Sequence, residues 1–182
     1  MPSDWSITPQ DSPSIVITSA SAESLGCGSL PWNNTTLGSR TWSTANLALY
    51  IPFVVNAPVT IVGGGCFNGT VAAGNIDVGV YDDQQDRLVS LGSTAMSGTS
   101  AWQIGTFSSA LALNPGVYYM AFVCSSNTAQ FFAVNTSSAY TPRGVGILTQ
   151  TSALPLPSPA TFAHATTNPN IPLLALTTRS FI

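Results

Sequence analysis

Alternating apolar and polar residues between Gly74 and Val134 restrict most of this chain to β-structure. Ile76, Val78 and Val80 are separated by single polar or small residues, which is the two-residue period of a strand that buries one face. The pattern is interrupted by polar turn sequences at 82–86, 97–100 and 114–116. Because the chain shows no sustained helical period, we predict an all-β fold.

About eight short strands can be placed along the chain, with the turn spacing that is typical of β-sandwiches. Residues 117–124 are nearly all apolar and are predicted to lie at the centre of the fold. The segments 14–19 and 171–176 are predicted to form the first and last strands. We predict an antiparallel β-sandwich, with a jelly roll as the favoured topology.

Three local features lead to expectations about the backbone. Pro115 and Gly116 predict a type II turn, in which Gly116 would have a positive φ. Pro52 predicts an edge or a bulge, since proline has no N–H to donate to a neighbouring strand. The run 63–65 consists only of glycine and is expected to end or bend its strand.

The domain organisation is predicted from the composition of the two ends. Residues 1–13 are polar and contain several prolines, so they are expected to form an N-terminal arm outside the core. Residues 14–182 are assigned to a single sandwich domain, with its core at 47–176. The proline-rich C-terminal segment 154–159 is expected to be extended, because proline disfavours helix at its own position and before it. The arm residues expected to dock onto a neighbouring subunit are Trp5, Pro9 and Pro13.

The chain contains few charged residues. They make up 6% of its 182 residues, against about 25% in a typical soluble domain, and lysine is absent. Such a surface favours a chain that is partly covered by copies of itself, so we predict a homotrimer or another closed homo-oligomer. The alternative is a monomer whose Ser, Thr and Asn side chains solvate the surface. With a net charge of −3 and no basic cluster, nucleic acid is not expected as a partner.

Cysteine usage and apolar runs bear on the compartment. Cys27, Cys66 and Cys124 form no Cys-x-x-Cys motif and the start of the chain is polar, so synthesis in a reducing cytosol is expected. Cys124 lies in an apolar run and is expected to be a buried small hydrophobe. The most apolar run, 47–62, contains prolines and is too short to span a bilayer, so no membrane partner is expected.

Residues suited to hydrolytic chemistry are scarce. The single histidine, His164, lies in a segment rich in Pro, Thr and Ala, and there is no Gly-x-Ser-x-Gly motif. The candidate acids between Asp77 and Asp86 fall in one strand and one hairpin turn, whereas a glycosidase needs two carboxyl groups about 5–10 Å apart across a cleft. We therefore predict a protein that is not an enzyme and that uses no cofactor.

The sequence offers candidate residues for two kinds of ligand site, one for calcium and one for a sugar. Asp82, Asp83 and Asp86 form a weak Ca²⁺ candidate, because calcium prefers oxygen ligands on a flexible loop, but their spacing matches no EF-hand. A solvated hairpin turn, partly neutralised by Arg87, is the favoured interpretation. Aromatic rings near polar side chains can stack on sugars, although they more often fill a core or a subunit interface. The candidate sugar-stacking residues are Trp32, Trp42, Trp102 and Tyr81.

Several short motifs give the chain a resemblance to a known group of proteins. The motifs are Tyr50-Ile51-Pro52-Phe53, Gly74-Asn75-Ile76-Asp77-Val78-Gly79-Val80-Tyr81-Asp82, Arg87-Leu88-Val89-Ser90, Asn114-Pro115-Gly116-Val117-Tyr118-Tyr119-Met120-Ala121 and Asn170-Ile171-Pro172-Leu173. In this order, over residues 47–176, they resemble the small jelly-roll or β-sandwich virion proteins of tailed bacteriophages. That group includes head decoration proteins and fibre-associated proteins.

The resemblance implies a non-enzymatic structural protein of the virion, made in the host cytoplasm. The implied role is capsid decoration or cement, or attachment to an appendage, with assembly through the sandwich and the arms. The implied partners are copies of itself and other virion proteins, such as major capsid or appendage proteins. Decoration is favoured over a fibre tip because the chain has no coiled-coil or repeat shaft. The alternative is a carbohydrate- or host-receptor-binding module of a tail fibre or tailspike, with a host-surface glycan as its ligand.

Overall fold

A computed structural model describes five parts of the chain: residues 15–17, 37–134, 146–151, 153–164 and 170–178. These residues form strands, turns and loops, and they contain no helix. The all-β prediction is therefore confirmed for the part of the chain that the structure describes. The predicted arm with Trp5, Pro9 and Pro13, and the candidate Trp32, lie outside the described residues.

The strands follow one another with mostly short connections. In chain order they are β1 (Ile15–Ile17), β2 (Leu37–Thr41), β3 (Ala48–Val55), β4 (Val59–Phe67), β5 (Asn75–Tyr81), β6 (Arg87–Ser90), β7 (Thr94–Ala95), β8 (Trp102–Leu113), β9 (Gly116–Cys124), β10 (Gln130–Val134), β11 (Leu148–Gln150), β12 (Ala163–His164), β13 (Ile171–Pro172) and β14 (Leu174–Thr177).

The largest sheet has the strand order β12–β11–β3–β9–β5–β6, and β7 pairs with β5. Strand β9 lies between β3 and β5, so the apolar run at 117–124 is central, as predicted. Strand β1 also joins this sheet, but it pairs with β3 in parallel, whereas the other described pairings are antiparallel.

Two three-stranded sheets, β13–β10–β2 and β14–β4–β8, form a second layer. Leu173, between β13 and β14, joins them through its backbone. Its carbonyl accepts a hydrogen bond from the Phe67 amide at 2.9 Å, and its amide donates to the Phe132 carbonyl at 2.8 Å. The strands of the second layer therefore follow the order β2–β10–β13/β14–β4–β8.

The main hydrophobic core lies between the large sheet and the second layer. The two layers are in contact at Gly64 of β4. A Cβ atom there would be 3.2 Å from side-chain atoms of Val78 in the large sheet and of Phe107 and Leu176 in the second layer. Alternate residues of β3, β5 and β9 point into this core, as the two-residue period requires. This arrangement of antiparallel sheets is consistent with a β-sandwich. The core residues contributed by these three strands are Leu49, Ile51, Phe53, Val55, Ile76, Val78, Val80, Met120, Phe122 and Cys124.

Three aromatic rings fill one end of the core. Trp42 meets Phe122 and Phe131 edge to face, with ring centroids 5.1 and 5.7 Å apart, and the two phenylalanine rings are 4.9 Å apart. Trp42 is 2% exposed, so neither face of its indole ring is open to a sugar. The prediction that Trp42 stacks on a sugar is therefore wrong, because its ring is used to fill the core.

The three backbone expectations have different outcomes. Strand β4 continues through 63–65 and does not end there, but its pairing with β8 shifts register between Ile61 and Gly63. Gly116 is not among the residues with positive φ, so the predicted type II turn does not form, and β9 starts at this residue. Beside β3, β11 pairs with 48–50 and β1 with 53–55. Neither of those two strands pairs with Pro52, so on that side of β3 the proline interrupts no strand pairing.

The glycine run is needed because the paired strand β8 lies too close to it for a side chain. A Cβ atom at Gly65 would lie 2.8 Å from the Ile104 Cα and would collide with the Gln103 carbonyl oxygen. At Gly63 it would collide with the Gly105 carbonyl oxygen. These neighbours are backbone atoms, which cannot turn away as a side chain could. The absence of side chains at Gly63 and Gly65 therefore allows β4 to lie beside β8 in the second layer.

Replacing Gly65 by alanine tests this close approach. Gly65→Ala is expected to lower the free energy of unfolding by about 3 kcal/mol, because β8 must move to admit the methyl group. Urea denaturation followed by circular dichroism measures the change. Gly116→Ala is the matched control, since its Cβ would have only an ordinary contact of 3.4 Å with the Tyr118 ring. Equal stability of the two variants would contradict the steric explanation.

Candidate functional site

The outer face of the large sheet is covered by the chain itself. Residues 153–162, here called the strap, connect β11 to β12 and pass over β3, β9 and β5. Ala153, Leu156 and Ala160 of the strap are buried against the sheet. The sheet residues beneath them include Tyr50 and Tyr81, whose rings meet edge to face at 5.2 Å. The proline-rich segment therefore closes a second, smaller core.

Side chains of β5 and β6 hold the backbone of the strap at Leu156. Leu156 lies between Pro155 and Pro157, so it supplies the only backbone N–H of these three residues. That N–H donates to Asp77 Oδ2 at 3.0 Å, and the Leu156 carbonyl accepts a hydrogen bond from Arg87 Nη1. One residue of the strap is thus held through both its backbone groups.

Further hydrogen bonds fix the strap on either side of Leu156. The Tyr81 hydroxyl donates to the Pro157 carbonyl, and the Ala160 amide donates to the Gln85 carbonyl at 2.9 Å. Tyr81 is fully buried by these contacts. The prediction that Tyr81 stacks on a sugar is therefore wrong, because the strap covers its ring.

Asp77 is the principal electrostatic feature beneath the strap. The residue is 0% exposed, and its Oδ1 atom makes no hydrogen bond of ordinary geometry, although the Gly92 amide and the Ser90 side chain lie near enough to lower the pKa of the carboxyl. Burial raises the pKa of the Asp77 carboxyl, while the Leu156 amide and the Arg87 charge oppose the rise. Burial likewise raises the pKa of Tyr50 to about 12 and raises the pKa of Tyr81. The cluster is closed to solvent and its polar atoms bind the strap.

The aspartates of the β5–β6 hairpin have a structural use. Asp82 Oδ1 accepts hydrogen bonds from the amides of Gln84 and Asp86, both at 2.9 Å. This side-chain cap closes the turn, in which Gln85 has a φ of 72°. Within the described residues there is no group of three or more His, Cys, Asp or Glu side chains that could hold a metal ion. The geometry agrees with the hairpin-turn interpretation of Asp82, Asp83 and Asp86.

The second layer carries a different feature on its outer face. Trp102 of β8, Phe67 of β4 and Phe132 of β10 form a line of rings, here called the aromatic row. The Trp102 and Phe67 centroids are 5.4 Å apart at an interplanar angle of 83°, and those of Phe67 and Phe132 are 5.4 Å apart at 63°. Trp102 is 42% exposed, and the two phenylalanines are half-buried. The row therefore presents an apolar surface to solvent.

Of the candidate sugar-stacking residues that the structure describes, Trp102 alone keeps an accessible ring. Sequence reasoning missed its two neighbours, Phe67 and Phe132. The sequence did indicate that one phenylalanine of β10 is on the outer face, because Phe131 and Phe132 are adjacent in a strand. The two-residue period sends one of two such rings to the core and the other to the outer face. Their meeting with Trp102 depends on strand order, which the sequence did not reveal.

The remaining reactive residues show no catalytic arrangement within the described part of the chain. Cys66 and Cys124 are buried and free, and burial raises the pKa of both thiols, so the nucleophilic thiolate is disfavoured. The expectation that Cys124 is a buried small hydrophobe is confirmed. His164 is exposed at the end of β12, opposite Leu148.

The chain was compared with protein-family models and with the sequences of curated proteins. No protein-family model matches the chain, and no curated protein matches its sequence. A search for membrane spans finds no helix of sufficient length and apolarity among the described residues.

The buried Asp77 carboxylate should make stability depend on pH. Folding raises its pKa, so the folded state holds the proton more tightly than the unfolded state. Its contribution to stability should then decrease as the pH rises from about 4, the ordinary value for aspartate, through the folded pKa. We expect Asp77→Asn to raise the free energy of unfolding at about pH 7 and to flatten this pH dependence in urea denaturation.

The exposed Asp83 provides the control for this measurement, as Asp83→Asn removes the same charge from the surface. It should change the stability by less than Asp77→Asn does. If Asp77→Asn were less stable than the unmodified chain at neutral pH, the attraction of Arg87 would outweigh the burial of the charge.

The strap should contribute to stability through Leu156. Leu156→Ala is expected to lower the free energy of unfolding by about 3 kcal/mol, because it leaves a cavity between the strap and the sheet. Ser158→Ala, at an exposed position of the same strap, should change it by less than about 0.5 kcal/mol. Guanidinium unfolding of both variants gives the comparison, and a similar loss in both would mean that the strap is not anchored at Leu156.

Proposed function

We propose that this chain is a non-enzymatic structural protein of a tailed-bacteriophage virion, with a jelly-roll fold. Its role is capsid decoration or cement, or attachment to an appendage. It assembles as a closed homo-oligomer and contacts other virion proteins, such as the major capsid protein. The resemblance of residues 47–176 to small virion proteins first indicated this role, and the strand order supports it.

The strand order is the observation that carries the proposal. After β1, the chain forms β2 in the second layer, crosses to β3 in the large sheet and returns to β4 in the second layer. It then forms β5 and β6 in the large sheet, β8 in the second layer, β9 in the large sheet and β10 in the second layer. This produces two sets of four strands, β3–β9–β5–β6 and β2–β10–β4–β8, with β13 and β14 inserted between β10 and β4. This winding of eight strands between two sheets supports a jelly roll, a fold that is common in viral capsid domains.

The distribution of polar groups supports a structural role. The buried carboxyl and hydroxyl groups of Asp77 and Tyr81 are hydrogen-bonded to the strap and hold it on the sheet. The charge content of 6% is low for a free soluble protein, and it suits a chain whose surface is shared with copies of itself. Both features support the proposal that the protein functions by assembling with copies of itself.

A carbohydrate- or receptor-binding module of a fibre or tailspike remains the second candidate, because jelly rolls also occur in lectins. The exposed ring of Trp102 is the observation that favours it. Its neighbour Phe67 is turned by 83°, however, so the two rings do not form one flat platform for a sugar. The aromatic row suits a protein surface better than a planar sugar ring.

The location is tested on particles of the virus whose genome encodes the chain. Particles banded on a density gradient are analysed by quantitative mass spectrometry, and the chain is expected at a fixed ratio to the major capsid protein. A virus-encoded protein that is abundant in the lysate but foreign to the particle serves as the control. If the chain stays in the lysate fraction with this control, the virion assignment is wrong.

A further inference from the structure

We propose that the aromatic row is the surface through which one copy of this chain packs against a second copy. Trp102 lies at the centre of the proposed contact, with Phe67 and Phe132 extending it across the second layer. The proposal rests on the self-assembly included in the proposed function. It adds which face is used and which side chain dominates the contact.

The size and exposure of Trp102 provide the first reason. The other large apolar side chains that are more than one-third exposed in the described residues are aliphatic: Val71, Leu88 and Val117. Isolated aliphatic residues of this kind are common on protein surfaces. A tryptophan ring can bury about 150–250 Å², and tryptophan is the residue type most enriched among those that dominate binding energy. Covering Trp102 would therefore contribute more than covering any of the other three.

The rigidity of the aromatic row provides the second reason. Trp102 rests edge to face on Phe67, and Phe67 does the same with Phe132, so each ring is held by a ring from another strand. Trp102 and Phe67 are also opposite each other in the β4–β8 pairing. Little side-chain freedom is left to lose on binding, and a surface that is already ordered binds more tightly for the same contact area.

The charge of the face indicates what kind of partner fits it. The residues beside the row on the outer face are Ile104, Gly65, Ser39 and Gln130, and none of them carries a charge. A partner selected by opposite charge gains nothing here. A second copy brings the same neutral, apolar face, and two such faces meet without repulsion around a two-fold axis.

The area available indicates how strong the contact should be. Five strands spaced about 4.8 Å apart, each with about five residues at about 3.4 Å per residue, form a face of roughly 400 Å² before side-chain relief is counted. Stable interfaces bury about 800 Å² on each partner, so this face lies towards the weak end of the range. We therefore expect reversible association with a dissociation constant in the micromolar range, about 1–100 µM.

The experiment is sedimentation velocity on the full chain from about 1 to about 200 µM, a range that brackets the expected dissociation constant. The unmodified chain should shift reversibly from monomer towards a larger species. Trp102→Glu should raise the dissociation constant at least about 30-fold, the effect expected for a residue that dominates a contact. Trp102→Phe should retain part of the affinity, because it keeps an aromatic ring on Phe67.

Val117→Glu is the matched control. Val117 is at least as exposed as Trp102, but it lies on β9 of the large sheet, so a new carboxylate there should leave association unchanged. Circular dichroism checks that each variant is folded. Should Trp102→Glu fail to fold, Trp102→Thr replaces it, since threonine is favoured in strands and keeps the position neutral.

Each outcome bears on the proposed surface separately from the proposed function. Association that persists in folded Trp102→Glu places the contact elsewhere and overturns this inference, while the virion assignment still depends on the particle analysis. A chain that is monomeric at about 200 µM overturns both this inference and the self-assembly in the proposed function, while the virion assignment is still decided by the particle analysis. If such a monomer bound a glycan on an array and Trp102→Glu lost that binding, the aromatic row would instead be the sugar site of the second candidate function.

Discussion

The second half of strand β9, residues 120–124, is buried on both of its faces, and the rest of the structure follows from the need to cover them. Met120 and Phe122 point into the core shared with the second layer, and Ala121 and Val123 point to the opposite side. A strand that is apolar on both faces cannot leave either face to water. The second layer covers one face and the strap covers the other. The folding of the proline-rich segment over the sheet is therefore required by the composition of β9.

The way in which the strap is held reflects the chemistry of proline. Prolines at 155, 157 and 159 leave few N–H groups to satisfy, so the strap can lie on a sheet face without pairing as a strand. The N–H of Leu156 still needs an acceptor, and Asp77 supplies it from beneath. Burial of that carboxylate is unfavourable by itself, and Arg87 offsets part of the cost while also binding the Leu156 carbonyl. A single aspartate thus links the electrostatics of the sheet to the position of the strap.

The two outer faces of the molecule differ for the same reason. The chain supplies its own cover for the large sheet, but the second layer keeps Trp102 exposed. A chain with so few charges has little else with which to solvate an apolar face. This contrast supports assembly through the second layer, and it leaves the large sheet with a role in stability.

The sequence by itself determined the fold class and the central place of 117–124, because the two-residue period and the turn residues act locally. It also indicated the short strand at Ile15–Ile17 and the last strands around 171–176. Only the tertiary structure decided which rings are buried. Trp42 and Tyr81 resemble Trp102 as neighbours of polar residues, yet one fills the core and the other lies under the strap. Burial depends on which distant segments meet: the aromatic row joins rings from three strands, and the strap joins Asp77 to a residue 79 positions away. The same holds for Gly63 and Gly65, which from the sequence were expected to end or bend the strand. The close approach of the paired strand β8 shows why no side chain fits there.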